Sequence, residues 1–158
     1  MDAASYWLLK TEPETYSIDD LARQRRGVWD GVRNRQARNL LRDRMRVGDG
    51  VLVYHSSCRP PGVAGLARVA STARPDASAF DSKSPYFDAK SVREKPTWFS
   101  VEIEFVEKFP ALVTLDALRA DRRLRSLMCI KPGQRLSVQP VTSDDYACIV
   151  ELGRTPAS

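Results

Sequence analysis

The chain has 158 residues, 42% of them hydrophobic, and a formal net charge of +5, which is enough for one globular domain, 1–158, with its own core. No apolar run reaches membrane-spanning length, and the opening MDAASYWLLK has no basic segment followed by an apolar stretch, so neither a membrane partner nor a signal peptide is expected. Cys58, Cys129 and Cys148 are widely spaced, there is a single histidine, and no Cys-x-x-C occurs, which points to reduced thiols, a cytoplasmic location and no metal.

Tyr6–Lys10 (YWLLK) reads as a short strand ended by Thr-Glu-Pro. Ser17 with Asp19 and Asp20 forms a capping-box-like start for a helix to about Gln24, and Arg25-Arg26-Gly27 breaks it. Asn34 opens a second helix to about Arg44. On its wheel Ala37, Leu40, Leu41 and Arg44 share one face, and Arg35, Arg38 and Arg42 fall within about 60° on the opposite face. The apolar face is expected to dock and the arginine face to look outward.

Gly50–His55 and Gly62–Ala70 read as strands joined by the turn SSCRPP. Pro75–Pro96 is polar with an aromatic island, SPYF, and reads as a long functional loop. Thr97–Phe109 alternates Phe99, Val101, Ile103 and Phe105 with polar residues, the pattern of a strand. Thr114–Ala120 and Arg122–Met128 read as short helices, Arg135–Gln139 as a strand, and Thr142–Leu152 as a helix capped by Thr142. Alternating strands and local helices predict an α+β fold: a small, mostly antiparallel β-barrel with helices packed around it.

Val28–Asn39 (VWDGVRNRQARN) puts a tryptophan, a glycine turn, two asparagines and three arginines in twelve residues. Leu21–Arg46 holds nine arginines against Asp30 and Asp43, a window charge of +7 that leaves the remainder at −2. Such local basicity is the footprint of a phosphate-facing patch. A flat ring, hydrogen-bonding groups and positive charge together suit a pocket that holds one nucleobase and grips the phosphates beside it. Arginine makes up 19 of the 25 basic residues. Its planar fork suits phosphate, though a GC-rich genome produces the same bias.

YWLLKTEP, WDGVRNRQARN, VGDGVLVYHS, PGVAGLARV, SPYFD and RLSVQPVT, in this order, resemble the EVE domain, a PUA-like module. The resemblance covers about Tyr6 to Leu152 and extends in plan to the YTH domain, which reads methylated adenine in RNA. It implies a PUA-like barrel with a pocket for a modified base in DNA or RNA, and binding rather than hydrolysis. It does not identify the base.

The resemblance makes Trp29 the stacking surface for the inserted base, worth about 1–3 kcal/mol; a core position is the alternative, since most tryptophans are buried. Asp30 belongs to the same motif. Trp98 and Trp7 compete for a second cage wall. The strand phase puts Trp98 on the side of Ser100 and Glu102, away from Phe99, whereas Trp7 sits in an apolar run and reads as core. Lys10, Thr11 and Glu12 match a pocket corner, and Pro13 equally marks an ordinary turn. Asn34 reads equally as helix cap and as ligand-binding group. His55 and Ser56 are placed in the pocket floor. Pro85, with Tyr86 after it, and Ser137 with Gln139 belong to motifs that complete the site. Arg33, Arg35, Arg38 and Arg42 are the phosphate-binding set.

The leading reading is a non-catalytic module that binds modified DNA or RNA, with no cofactor; the oligomeric state is open and a monomer is expected. No carboxylate cluster with metal-binding spacing and no nucleophile–base pair supports an enzyme; Cys58 beside Arg59 is the nearest approach. The alternative is a sensor of a free nucleobase or nucleotide.

Overall fold

The computed structural model describes residues 5–155. Residues 1–4, where the expectation about a leader begins, lie outside that span. In chain order the elements are β1 (Tyr6–Thr11), α1 (Ile18–Gln24), β2 (Arg26–Trp29), α2 (Arg35–Asp43), β3 (Gly50–His55), β4 (Gly62–Val69), β5 (Arg74–Pro75), β6 (Phe99–Thr114), α3 (Leu115–Ala120), β7 (Val138–Val141) and α4 (Ser143–Arg154).

Local chemistry sets the helix starts. Ser17 accepts from the Asp20 N–H while the Asp20 carboxylate accepts from the Ser17 N–H, closing the capping box of α1. Asn34 Oδ1 caps α2 at the Ala37 N–H, 2.9 Å away, and the Thr142 hydroxyl caps α4 at Asp145. The segment 122–128 forms only a 3-10 turn, Arg122–Leu124, with a second at Met128–Ile130. Asp121 caps the first through the Arg123 N–H, and Pro132 follows the second, so neither extends into an α-helix.

The strands lie in the order β2-β6-β4-β3-β1-β7, with β5 added on β6. Only β1 and β3 run parallel; the other pairs are antiparallel. The fold is α+β and mostly antiparallel, but the sheet is open where a closed barrel was expected. Among the described residues β2 and β7 pair with one neighbour each. Both are four residues long, and Pro140 deprives β7 of an N–H, which confines it to an edge. β7 also begins three residues later than the sequence pattern suggests and runs through that proline.

Alternation on the central strands divides the core. Trp7, Leu9, Val51 and Val53 face Ile18, Leu21, Ala37 and Leu41 of α1 and α2. Leu8, Leu52 and Tyr54 face Leu118, Cys148 and Ile149 of α3 and α4. Burial from both sides explains why β3 reads as a continuous apolar run. Trp7 is core, its indole N–H 2.9 Å from the buried Asp49 carboxylate.

Candidate functional site

The parallel pairing of β1 with β3 brings their C-terminal ends side by side, with Thr11 opposite His55 and the Ser56 N–H on the Thr11 carbonyl. Antiparallel β7 delivers the preceding loop to the same corner, where the Lys10 N–H meets the Ser137 carbonyl at 2.9 Å. The end of β2 supplies the opposite wall. Between them lies a cavity of about 540 Å³. That volume falls in the range of small-molecule sites.

Seven of the residues expected to bind a base line this cavity: Lys10, Thr11, Glu12, Trp29, Asp30, Ser56 and Ser137. The structure adds Thr15, Tyr16, Val28, Gly31, Val32, Tyr86 and Arg135. Trp29 is 6% exposed, so only a small part of the ring is open to the cavity. Tyr16 meets it edge-to-face, ring centroids 6.4 Å apart. Val28, by contrast, is an exposed apolar side chain at the same wall.

Tyr86 reaches the cavity from the long loop because that loop is pinned. Asp76 is fully buried and accepts from the Gly31 N–H at 2.9 Å and from Arg33 Nη1 at 2.9 Å. Arg33 also donates to the Tyr86 carbonyl at 2.6 Å. Gly31 has φ +76°, and a Cβ there would sit 2.7 Å from the Tyr86 ring. Both the left-handed backbone and the close ring therefore require glycine.

Five expected base contacts lie elsewhere. Asn34 spends its side-chain oxygen on the cap of α2. His55 turns to α1, its Nε2 accepting the Ile18 N–H at 3.1 Å. That bond needs the neutral imidazole, and burial, with Lys108 adding and Asp19 opposing, lowers its pKa. Pro85 is exposed beside Tyr86 and outside the lining. Gln139 is buried, with Nε2 on the Leu136 carbonyl and Oε1 unpartnered.

Trp98 is not a cavity wall. Its indole N–H donates to Asp88 at 2.8 Å, and its ring is flanked by the guanidinium groups of Arg33, Arg35 and Arg38 at 5.4, 6.0 and 5.9 Å. Strand phase argued against a core position, but Trp98 precedes β6 and is buried among the guanidinium groups.

None of the four candidate phosphate-binding arginines lines the cavity. Arg33 is committed to Asp76 and Tyr86, an internal strut rather than a free cation. Arg38 donates to the Thr97 carbonyl at 3.0 Å. Arg42 pairs with Asp43 and lies over Phe99. The arginine face of α2 thus lays its guanidinium groups over the rings of Trp98 and Phe99. Partial desolvation, then the neighbouring charges of Arg42 and Arg35, depress the pKa of Arg38, a sign of incompletely neutralised positive charge.

Lys10 donates to the Gln134 carbonyl at 3.0 Å and lies over Tyr54. Burial lowers its pKa. Arg135, at the rim, is exposed. Among the described residues no group of three or more His, Cys, Asp or Glu side chains could hold a metal ion, and all three cysteines are free thiols. No helix among the described residues is long and apolar enough to cross a membrane.

The EVE domain family model matches residues 5–152. Human thymocyte nuclear protein 1 is 35% identical over 167 residues, spanning 94% of this chain and 74% of its own length. A structure of a Leishmania major protein superposes with TM-score 0.91 at 48% identity, covering 96% of this chain and 95% of its own. The human THYN1 protein in complex with 5-methylcytosine-containing DNA superposes with TM-score 0.89 at 34% identity, covering 98% of this chain and all of the other. A Zygosaccharomyces rouxii YTH domain, with TM-score 0.57 and 12% identity, covers all of this chain and 92% of its own and shares the fold.

Proposed function

The chain belongs to the EVE domain family, and from that premise we propose that it is a non-catalytic module that holds a modified nucleobase of DNA or RNA in the cavity beside Trp29. The observation that carries the reading is the cavity itself. Indole, phenol rings, carboxylates, hydroxyls and cations from five separate segments converge on about 540 Å³. The complex of the related human protein with 5-methylcytosine DNA supports a modified base as the ligand, and DNA as the polymer ahead of RNA.

In this reading Trp29 stacks on the base, with Tyr16 and Tyr86 closing the aromatic wall. Lys10, Thr11, Glu12, Asp30, Ser56 and Ser137 present hydrogen-bonding groups to the base edge. Arg35, Arg38 and Arg42 hold the backbone from the surface of α2, outside the cavity. The base has to leave its stack to enter, which is least costly from a single strand. The whole span acts as one module without a cofactor, as a monomer and in the cytoplasm; the curated relatives carry a nuclear name.

A titration of the protein against single-stranded oligonucleotides with one central 5-methylcytosine or cytosine tests the proposal. Burial of the methyl group should favour the modified strand about fourfold, from about 0.8 kcal/mol per methyl-sized unit. Equal affinity across cytosine- and adenine-derived modified bases and their unmodified counterparts would contradict it, as would multiple-turnover conversion of any of them.

A further inference from the structure

Two carboxylates line the cavity, Glu12 and Asp30, and among the described residues neither accepts a hydrogen bond from another residue; Asp30 is the one that adjoins the Trp29 ring wall. Its neighbour Asp76 accepts four bonds, from the Gly31 N–H, the Ser78 N–H, the Ser78 hydroxyl and Arg33. Asp30 lines the cavity immediately before Gly31. Among the described residues no other residue donates a hydrogen bond to it. Asp30 and Asp76 respond in opposite directions. Burial raises the Asp76 pKa, but its hydrogen bonds outweigh burial and leave it lowered. For Asp30 burial, then repulsion from Asp76, raise the pKa, and its own N–H and the charge of Arg33 offset this only in part. Solvent reaches Asp30 at the rim, yet the crowded concavity strips part of its hydration.

We propose that the Asp30 carboxylate reads the hydrogen-bonding edge of the inserted base and selects an exocyclic amino group over a carbonyl at the same place. This rests on the base-binding reading above. The aromatic wall cannot make the distinction. 5-Methylcytosine and thymine share a ring, a methyl group and a stacking face, and differ only at the ring nitrogen and the adjacent amino or oxo group. An amino group supplies the donor that Asp30 lacks. A carbonyl there sets acceptor against acceptor and leaves both groups unpaired as water is excluded. Glu12 is a second, equally unpartnered acceptor in the lining, but it follows β1 at the wall opposite Trp29. Of the two cations in the lining, which would favour a carbonyl, Lys10 is turned to the Gln134 carbonyl and Arg135 is exposed at the rim.

The test uses three single-stranded oligonucleotides that differ at one central position, carrying 5-methylcytosine, thymine or cytosine, in a fluorescence anisotropy titration. The wild-type protein should bind the 5-methylcytosine strand about tenfold more tightly than the thymine strand, the cost of one charge-assisted hydrogen bond exchanged for an unpaired acceptor. In Asp30→Asn the amide can turn its NH₂ to a carbonyl. Thymine binding should then improve and the ratio should fall to within about twofold. A general loss of structure would weaken both strands together. Wild-type protein that binds 5-methylcytosine and thymine equally, both above cytosine, overturns the proposal and leaves the base-binding reading standing. So does an unchanged ratio in Asp30→Asn, or a ratio that collapses only in Glu12→Gln. No preference among all three strands would remove both.

Discussion

Substitution Asp76→Asn tests whether the long loop and the cavity are mechanically joined. Asp76 is fully buried and its partner Arg33 is 23% exposed. The change keeps volume but removes the charge that Arg33 faces, and an amide cannot accept all four donors. Breaking a buried ion pair from one side costs about 3–5 kcal/mol. Partial solvent access at Arg33 lowers the expectation to about 2–4 kcal/mol. For a chain of this size that corresponds to a fall in Tm of roughly 4–16 °C. Acid should show the same linkage. The folded-state pKa of Asp76 is depressed. Its contribution is therefore present above the unfolded carboxylate value near 3.9 and is lost as pH falls from there through the folded value. Thermal melts of wild type and Asp76→Asn from pH 7 down to 3 read both effects. The difference should be largest at pH 7 and shrink on acidification. A loss below about 1 kcal/mol at pH 7, or a difference independent of pH, would refute the strut.

Gly31→Ala should destabilise by about 1–3 kcal/mol, because alanine resists φ +76° and its Cβ enters the Tyr86 ring; unchanged melting and ligand affinity would show that the loop gives way freely. His55→Gln should flatten a pH-dependent step in stability. The lowered folded-state pKa of His55 means that its contribution is present above about pH 6.5 and declines as pH falls toward the folded value, whereas a glutamine oxygen can accept the Ile18 N–H at any pH. Replacing Arg35, Arg38 and Arg42 together by Gln should flatten the log–log salt dependence of oligonucleotide binding by about 0.7 to 0.9 for each lost phosphate contact. Binding of a free modified nucleoside should hardly change, and equal losses for both ligands would place these arginines in support of the cavity.

What was legible in the sequence was what local chemistry decides. The caps Ser17, Asn34 and Thr142 announce their helices because a side-chain oxygen three residues from an orphan N–H works within one turn. β6 announces itself by alternation. The corner Lys10–Glu12 and the Trp29–Asp30 turn were brought together by the family resemblance rather than by local pattern, and both line the cavity. What was not legible depends on partners distant in sequence. β2 is four residues with no alternation and exists because β6 pairs with it. Arg33 reads as a phosphate ligand until Asp76, 43 residues later, claims it. Trp98 reads as a rim residue until three guanidinium groups and Asp88 enclose it. Tyr16 and Arg135 enter the cavity from loops that carry no pattern; the one available signal was an aromatic residue directly before the Ser17 cap. Closure of the sheet depends on whether its two edges meet, which no single strand encodes.

The central claim is that the cavity beside Trp29, and not the Trp98 surface, receives the base. Its most direct test is the affinity of Trp29→Ala and Trp98→Ala for the oligonucleotide bearing one 5-methylcytosine, with circular dichroism confirming the fold of each. Loss of a stacking partner worth about 1–3 kcal/mol should weaken Trp29→Ala by roughly five- to a hundredfold and erase its preference over cytosine. Trp98→Ala should keep that preference. A folded Trp29→Ala protein with undiminished affinity and preference would contradict the account.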